Sequence, residues 1–242
     1  MDSDYLIVLG VIAALSIVQS VFGMGILVFG TPTLILMGYD FFTTLQYLLP
    51  ASVAISLIQT ITSSKKGSVH KRALVTLCIP AICIGLAISS SLLVSNYVEL
   101  AIGMMLLSSA GLRIYSPLEM RLRKFIRRNM AFTHFLMGIV HGVTNLGGAI
   151  LAVYAAAINK NKQATRHAIA TYYLVFGIIQ ILMLSLMGQY SVMAQNYVAP
   201  IISSLVYIVA GNRVFMKIDD AVYYHALTTF IALYGIVIIV HA

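Results

Sequence analysis

Long apolar runs, each close to the length of one membrane-spanning helix, alternate along the chain with short polar segments. A helix needs about 20 apolar residues to cross the hydrocarbon core of a bilayer. Six runs approach that length and predict six simple transmembrane helices, at residues 41–62, 73–94, 97–115, 167–187, 195–211 and 221–241.

Two further apolar runs are interrupted near the middle by glycine. Run 5–38 contains Gly23-Met24-Gly25, and run 130–158 contains Gly142 and the segment Asn145-Leu146-Gly147-Gly148. Each run is too long for one span, yet legs of mostly about 13 to 18 residues reach only roughly 20 to 27 Å. We interpret both runs as glycine-broken helical hairpins, either re-entrant or pairs of thin spans.

The composition excludes whole classes of protein. Of the 242 residues, 60% are apolar and only 9% are charged, whereas soluble domains carry about 25% charged residues. A soluble enzyme and a free nucleic-acid-binding protein are therefore excluded, and we predict an all-α polytopic membrane protein. The acidic start, Met1-Asp2-Ser3-Asp4, lacks the basic segment of a cleaved secretory signal.

The distribution of charge predicts the orientation in the membrane. The chain has 15 Lys and Arg against 7 Asp and Glu, and basic residues accumulate in short cytoplasmic loops. If the N-terminus lies outside and each hairpin returns to its starting side, every basic residue falls in a cytoplasmic segment. Those segments are 63–72, 113–129, 159–166 and 212–220. The sequence thus predicts a multi-pass protein of the cytoplasmic (inner) membrane with both termini outside.

Landmarks in the two halves of the chain recur at a nearly constant offset. Four pairs lie 120 to 124 residues apart: Gly25 and Gly147, Ile58-Gln59 and Ile179-Gln180, Pro80 and Pro200, and Gly111 and Gly235. Each half therefore reads as a hairpin followed by three spans, with repeats at 1–115 and 130–242. Because three crossings is an odd number, the second repeat is expected to be inverted, as in many secondary transporters.

The linker between the repeats, 116–129, is basic and amphipathic. Leu118, Leu122, Phe125 and Ile126 share one face of a helix, with five basic residues among them. This pattern predicts a cytoplasmic interfacial helix that contacts anionic lipid headgroups.

The two glycine-broken hairpins resemble those of a known family. The segments Gln19-Ser20-Val21-Phe22-Gly23-Met24-Gly25, followed by Pro32, and His141-Gly142-Val143-Thr144-Asn145-Leu146-Gly147-Gly148 each open a similar half. On this basis the chain resembles the sulfite exporter TauE/SafE family, also called the toluene sulfonate uptake permeases. The resemblance implies transport of sulfite or organosulfonate-type anions across the inner membrane, with protons as a coupling ion. Ile26 departs from the fuller glycine run of many members, which leaves the substrate open.

The hairpin breaks are the expected anion site. The second leg of each hairpin begins near mid-membrane, and a helix N-terminus offers free N–H groups and about half a positive charge. The alternative is that the glycines only permit close helix packing and that the polar residues only bond between helices. The expected substrate-binding residues are Gln19, Ser20, Gly23, Gly25, Gln59, Thr144, Asn145, Gly147, Gly148 and Gln180.

His141 lies nearest the second break and is the candidate proton carrier; the alternative is a satisfied interhelical hydrogen bond. No Asp or Glu lies deep in a span, and the spacing of Cys78 and Cys83 fits no metal site. We therefore expect no cofactor, no metal and no enzymatic activity. The leading hypothesis is a secondary transporter of small anions. The alternative is a membrane-embedded partner or assembly subunit without its own transport activity.

Overall fold

The computed structural model describes residues 3–91, 116–191 and 195–241, and within these ranges every regular element is helical. Five of the described helical stretches are long and apolar enough to cross a membrane: Asp4–Phe22, Phe41–Thr62, Lys71–Ser90, Lys162–Leu186 and Tyr197–Lys217. The protein is an all-α polytopic membrane protein.

The first half begins with a helical hairpin. Its elements are α1 (Ser3–Phe22), α2 (Ile26–Leu36), α3 (Phe41–Thr62), α4 (Lys71–Ala73), the π-helical segment π1 (Leu74–Cys78) and α5 (Ile79–Ser91). Asp40 is the N-cap of α3: its carboxylate accepts hydrogen bonds from the Phe42 and Thr43 N–H groups at 3.0 Å each. The predicted span 97–115 lies outside the described residues.

The second half has a similar order of elements. After α6 (Ser116–Arg128) come α7 (Met130–Thr144), α8 (Gly147–Ile158), α9 (Lys162–Leu186), α10 (Gln195–Val206), the π-helical segment π2 (Tyr207–Gly211), α11 (Asn212–Lys217) and α12 (Asp220–His241). Helix α9 begins five residues before the expected 167. The helix expected to end at 211 continues through π2 to Lys217.

The hairpin legs differ in length more than the sequence suggested. Helix α1 has 20 residues, or about 30 Å, so it is long enough to cross a bilayer. Asp4 lies in its first turn, where a negative charge favours the helix N-terminus. The other legs have 11, 15 and 12 residues, or roughly 16 to 23 Å, and are short for a crossing.

Polar side chains are buried within a largely apolar core, and many apolar side chains face outward. Gln19, Ser52, Ser56, Asn145 and Gln180 are completely buried. Large apolar side chains face outward instead, among them Ile61 at 69% exposed and Leu186 at 83%. This arrangement suits a protein surrounded by lipid, in which buried polar groups must bond to one another.

Small residues allow α5 and α7 to pack closely. A Cβ on Gly85 would lie 2.7 Å from the carbonyl oxygen of Ile139, and one on Gly138 would lie 2.7 Å from the Ala81 Cβ. Gly142 lies inside α7 and also contacts α5. The expectation that Gly142 is part of the break is therefore wrong: the helix continues through it, and its lack of a side chain serves helix packing.

Helix α6 docks against the end of α8. Arg123 donates to the Ala156 carbonyl at 2.5 Å, and Arg127 donates to the Ala157 carbonyl at 2.7 Å. Cations stabilise a helix C-terminus, where carbonyls lack intrahelical partners. Ile126 is buried while Phe125 is exposed, so the face predicted to enter lipid is partly used for contact with the protein.

Candidate anion site

Both hairpins break in the same way. Helix α1 ends before Gly23, whose φ is 80°, and α7 ends before Asn145, whose φ is 63°. A residue in the left-handed region commonly ends a helix, and Gly and Asn tolerate that conformation best. The two residues lie 122 residues apart, so the sequence offset corresponds to a shared local geometry.

The glycines at which the second legs begin are needed for space. A Cβ on Gly25 would lie 2.6 Å from the backbone nitrogen of Gln19, and a Cβ on Gly147 would lie 2.5 Å from the Cβ of His141. In each hairpin the returning chain therefore touches the leg that it has just left. Gln19 and His141 occupy corresponding places, again 122 residues apart.

Gln19 closes the first break from within the protein. Its Oε1 accepts a hydrogen bond from the Ile26 N–H at 3.1 Å, which is the first N–H of α2. Its Nε2 donates to the Ser52 carbonyl at 2.9 Å and contacts the hydroxyls of Ser52 and Ser56 at 3.1 and 3.2 Å. The N-terminus of α2 thus already has an internal acceptor.

The C-terminus of α1 is satisfied by two side chains from other helices. Gln59 Nε2 donates to the carbonyls of Gln19 and Ser20, at 3.0 Å each. Arg166 Nη1 donates to the same Ser20 carbonyl at 3.0 Å. The Ser20 hydroxyl donates to the Ser16 carbonyl at 2.6 Å. The Gln59 amide, the Arg166 guanidinium and the Ser20 hydroxyl therefore all donate to backbone carbonyls of α1.

Arg166 was predicted to lie in the polar segment 159–166 between two spans, and this prediction is wrong because the residue lies inside α9. The side chain is 5% exposed in α9, with its guanidinium 3.4 Å from the centre of the Phe215 ring and its Nη1 3.2 Å from Asn212 Oδ1. Burial is possible because the charge meets a helix-end carbonyl, an amide oxygen and an aromatic face.

A directed chain of hydrogen bonds crosses the second break. Gln180 Oε1 can only accept, so His141 Nε2 donates to it, at 3.2 Å. Gln180 Nε2 donates to Asn145 Oδ1 at 3.2 Å, and Asn145 Nδ2 donates to the Thr31 hydroxyl at 2.7 Å. Thr144 donates to the Val140 carbonyl at 2.8 Å.

The two hairpins touch at their tips. Asn145 of the second hairpin bonds Thr31 in α2 of the first. A Cβ on Gly148 would lie 2.5 Å from Cγ2 of Val28, also in α2. The expected site residues thus bond one another within each half, and the second break meets the first hairpin through Thr31 and Val28 of α2, which were not among them.

Tyr173 completes the second break, although the sequence analysis did not include it. Its side chain is 0% exposed, its hydroxyl has no hydrogen-bond partner among the described residues, and that hydroxyl lies against Gly148, where it leaves no room for a Cβ. His141 Nδ1 likewise has no partner in the described part of the chain. The two rings are 5.9 Å apart, centre to centre.

The N-terminus of α8 differs from that of α2. Within residues 3–91, 116–191 and 195–241, no side chain accepts from the N–H of Gly147 or Gly148, and Leu146 does not cap the helix. The first N–H groups of an α-helix have no intrahelical partner. The second hairpin thus combines free backbone donors with a buried, unpartnered hydroxyl. In the first hairpin, by contrast, Gln19 Oε1 accepts from the first N–H of α2.

Periodicity in the sequence pointed toward some of the residues that the analysis missed. Tyr173 precedes Gln180 by seven residues and Ser52 precedes Gln59 by seven, so each pair shares a helix face two turns apart. Applied to Gln59 and Gln180, this spacing indicates Ser52 and Tyr173 as residues on the same helix faces. No group of three or more metal-ligating side chains occurs in the described residues.

These features define a class: an all-helical membrane protein with two glycine-broken hairpins whose tips meet around buried, uncharged polar groups. The family model of the sulfite exporter TauE/SafE matches residues 6–238, so the chain belongs to this family. The family is one of membrane transporters of sulfur anions. Comparisons with curated proteins and with solved structures give no match.

Proposed function

We propose that the protein is a secondary transporter that carries a small sulfur oxyanion, such as sulfite or an organosulfonate, across the cytoplasmic membrane. The observation that carries this proposal is the second break, where the free N-terminus of α8 and the unpartnered Tyr173 hydroxyl lie together in the protein interior. The anion binds there, near the bilayer midplane, with α2 of the first hairpin against it.

The donors suit a sulfur oxyanion. The site offers three hydrogen-bond donors: the N–H groups of Gly147 and Gly148 and the hydroxyl of Tyr173. Their number matches the three oxygens of a sulfite or a sulfonate group. The helix dipole adds a partial positive charge. Because no full cation is needed, the anion is stabilised but can also leave. Arg166 does not serve as the ligand, since Ser20, Asn212 and Phe215 already occupy its guanidinium.

Asn145 and Gln180 orient this site rather than contact the anion in the ligand-free protein. Their amides bond to each other, to His141 and to Thr31. They hold the break of the second hairpin against the first, and they fix His141 with Nδ1 unpartnered. Protonation at Nδ1 adds one further donor beside the anion, which makes His141 the proton-coupling residue in this proposal.

We further propose an inverted repeat with both termini outside. Basic residues then concentrate on the cytoplasmic face, in contact with anionic headgroups near α6. Single cysteines introduced at the exposed residues Ser64 and Gln189, in a background without Cys78 and Cys83, should react with an impermeant thiol reagent from opposite sides of the membrane. Reaction of both from one side would contradict the inverted arrangement.

Flux through the purified protein tests the function itself. Liposomes that contain the protein should take up radiolabelled sulfite saturably, faster than protein-free liposomes, and an unlabelled organosulfonate should compete. An imposed proton gradient should change the uptake rate. If correctly folded protein gives no flux under any gradient, the alternative of a partner or assembly subunit is favoured.

A further inference from the structure

Four titratable side chains from four separate elements form one hydrogen-bonded chain next to the proposed site. His70 Nδ1 lies 2.6 Å from the Tyr154 hydroxyl, and the Tyr154 and Tyr172 hydroxyls are 3.2 Å apart. The Tyr172 hydroxyl lies 2.7 Å from His134 Nε2. His70 is exposed, whereas the other three are completely buried. The chain therefore runs from the protein surface to its interior.

The direction of donation along this chain depends on whether His134 carries one proton or two. His134 Nδ1 lies 2.7 Å from the Met130 carbonyl oxygen, which can only accept, so Nδ1 carries a proton. In the structure the Tyr172 hydroxyl donates to the Tyr154 hydroxyl, so Tyr172 accepts from His134 Nε2–H and Tyr154 donates to His70 Nδ1, which is the orientation for a His134 protonated on both nitrogens. With neutral His134 the direction reverses: Tyr172 donates to His134 Nε2, Tyr172 accepts from Tyr154, and Tyr154 accepts from the Nδ1–H of His70. Each orientation satisfies all four groups, and the transfer of one proton along the chain converts the second orientation into the first.

We propose that these four residues are a proton relay that delivers a proton from the surface to His134. A proton binds at Nε2 of His70. The Nδ1 proton of His70 passes to the Tyr154 oxygen, the Tyr154 proton passes to Tyr172, and the Tyr172 proton passes to Nε2 of His134. At each step one bond to hydrogen breaks and one forms, and no heavy atom moves. His134 becomes an imidazolium, and His70 is left neutral with its proton on Nε2.

Other ionisable groups pack around the relay without interrupting it. The buried Cys78 thiol lies in π1 beside the tyrosines. Arg123 and Arg127 of α6 bond to carbonyls at the end of α8. His167 of α9 accepts from the Gly67 N–H at 3.0 Å. Arg123, Arg127 and His167 have their own partners, so they do not divert the hydrogen bonds among the four relay residues.

The relay ends close to the proposed anion site. His134 and His141 lie on one face of α7, two turns or about 10 Å apart. In the low-dielectric interior a positive charge at His134 favours an anion at the start of α8. This connection rests on the proposed function; the relay itself does not. The relay thus supplies a physical basis for proton-coupled anion binding.

The histidine ¹⁵N spectrum of the purified, labelled protein in nanodiscs tests the relay without any anion. At high pH we expect both His70 and His134 to carry their proton on Nδ1. As pH falls, imidazolium should appear at His134 in the same step in which the His70 proton moves from Nδ1 to Nε2. Tyr172→Phe and Tyr154→Phe each break the chain and should abolish this coupled change. Tyr224→Phe, which removes a hydroxyl bonded to Thr165 at 3.0 Å, should leave it intact.

Two results would overturn the relay. One is a parent protein in which His134 stays neutral throughout the pH range of the folded state. The other is a folded Tyr172→Phe or Tyr154→Phe variant in which His70 still changes tautomer together with His134. Either result leaves the proposed anion transport standing if sulfite flux is present. Absence of flux with an intact coupled titration would instead remove the proposed function and keep the relay.

Discussion

Gly147→Val should abolish transport. A Cβ at this position would lie 2.5 Å from both the Met137 carbonyl oxygen and the His141 Cβ, and neither atom is the end of a flexible side chain. Valine would push α8 away from α7, which displaces the backbone donors and costs about 1 to 3 kcal/mol or more in packing. A loss of this size corresponds to roughly five- to a hundredfold or more in anion affinity if it falls on binding. Sulfite flux in proteoliposomes is the measurement.

A matched substitution separates this effect from general damage. Gly10→Val adds the same side chain in α1, where nothing lies within 4 Å of a Cβ, and should transport at the parent rate. Gly147→Ala, a smaller change, should fall between the two and serves if the valine variant does not fold. A folded Gly147→Val protein that transports like the parent would show that the break is a packing feature only.

Tyr173→Phe should weaken anion binding while leaving the protein as stable as before or more stable. The change removes only a hydroxyl that has no partner among the described residues. Losing a hydrogen bond to a charged ligand costs about 1.5 to 3 kcal/mol, or roughly ten- to a hundredfold in affinity. An unsatisfied buried hydroxyl itself costs about 1 to 3 kcal/mol, so its removal can raise the melting temperature. Sulfite affinity and thermal unfolding are measured on the same preparation.

Tyr173→Phe is thus expected to lower the anion affinity without lowering the stability, and this combination distinguishes a ligand contact from a structural role. A hydroxyl that matters only for structure would lower stability when removed and would leave affinity unchanged. Tyr224→Phe is the control, because its hydroxyl bonds Thr165 outside the proposed site, and it should keep the parent affinity. If Tyr173→Phe binds sulfite as tightly as the parent, the anion does not contact this hydroxyl.

The two breaks could be predicted from the sequence because glycine marks them. Gly25 and Gly147 are needed where the chain folds back on Gln19 and His141, and no other residue fits such a contact. The exact limits of the helices could not be predicted in the same way. Helix α9 begins at Lys162 because the Asn161 side chain caps it and accepts from the Ala164 N–H at 2.9 Å. Hydropathy did not place Lys162 inside a helix, since its burial depends on donation to the Phe215 carbonyl at 2.9 Å, a contact between residues far apart in sequence.

The site itself was only partly predictable. Hydropathy and the repeat offset indicated Gln59, Gln180 and Asn145 as candidates. They could not show which of these side chains already bond to other protein groups. Asn145 was expected to bind the substrate, and in the structure its Nδ2 donates to Thr31. Tyr173 was not among the expected site residues, because tyrosine is common in membrane proteins and no motif distinguishes this one. Only the position of its hydroxyl against Gly148 indicates that this tyrosine belongs to the site.

Arg166 illustrates the limit of reading charge along a membrane sequence. The rule that basic residues mark cytoplasmic loops assumes that each cation faces water or headgroups. A helix-end carbonyl and an aromatic ring can replace that environment, as the Ser20 carbonyl and Phe215 do here. The cation then stabilises the broken end of α1 instead of contacting lipid.

The position of the bound anion is the most direct test of the central claim. A structure of the parent protein with selenite, a heavier analogue of sulfite that gives an anomalous signal, locates it. We expect a single peak at the N-terminus of α8, within hydrogen-bond distance of the Gly147 and Gly148 N–H groups and of the Tyr173 hydroxyl, and absent from Tyr173→Phe at the same concentration. A peak at the guanidinium of Arg166, or one that does not contact α8, would contradict the proposed site.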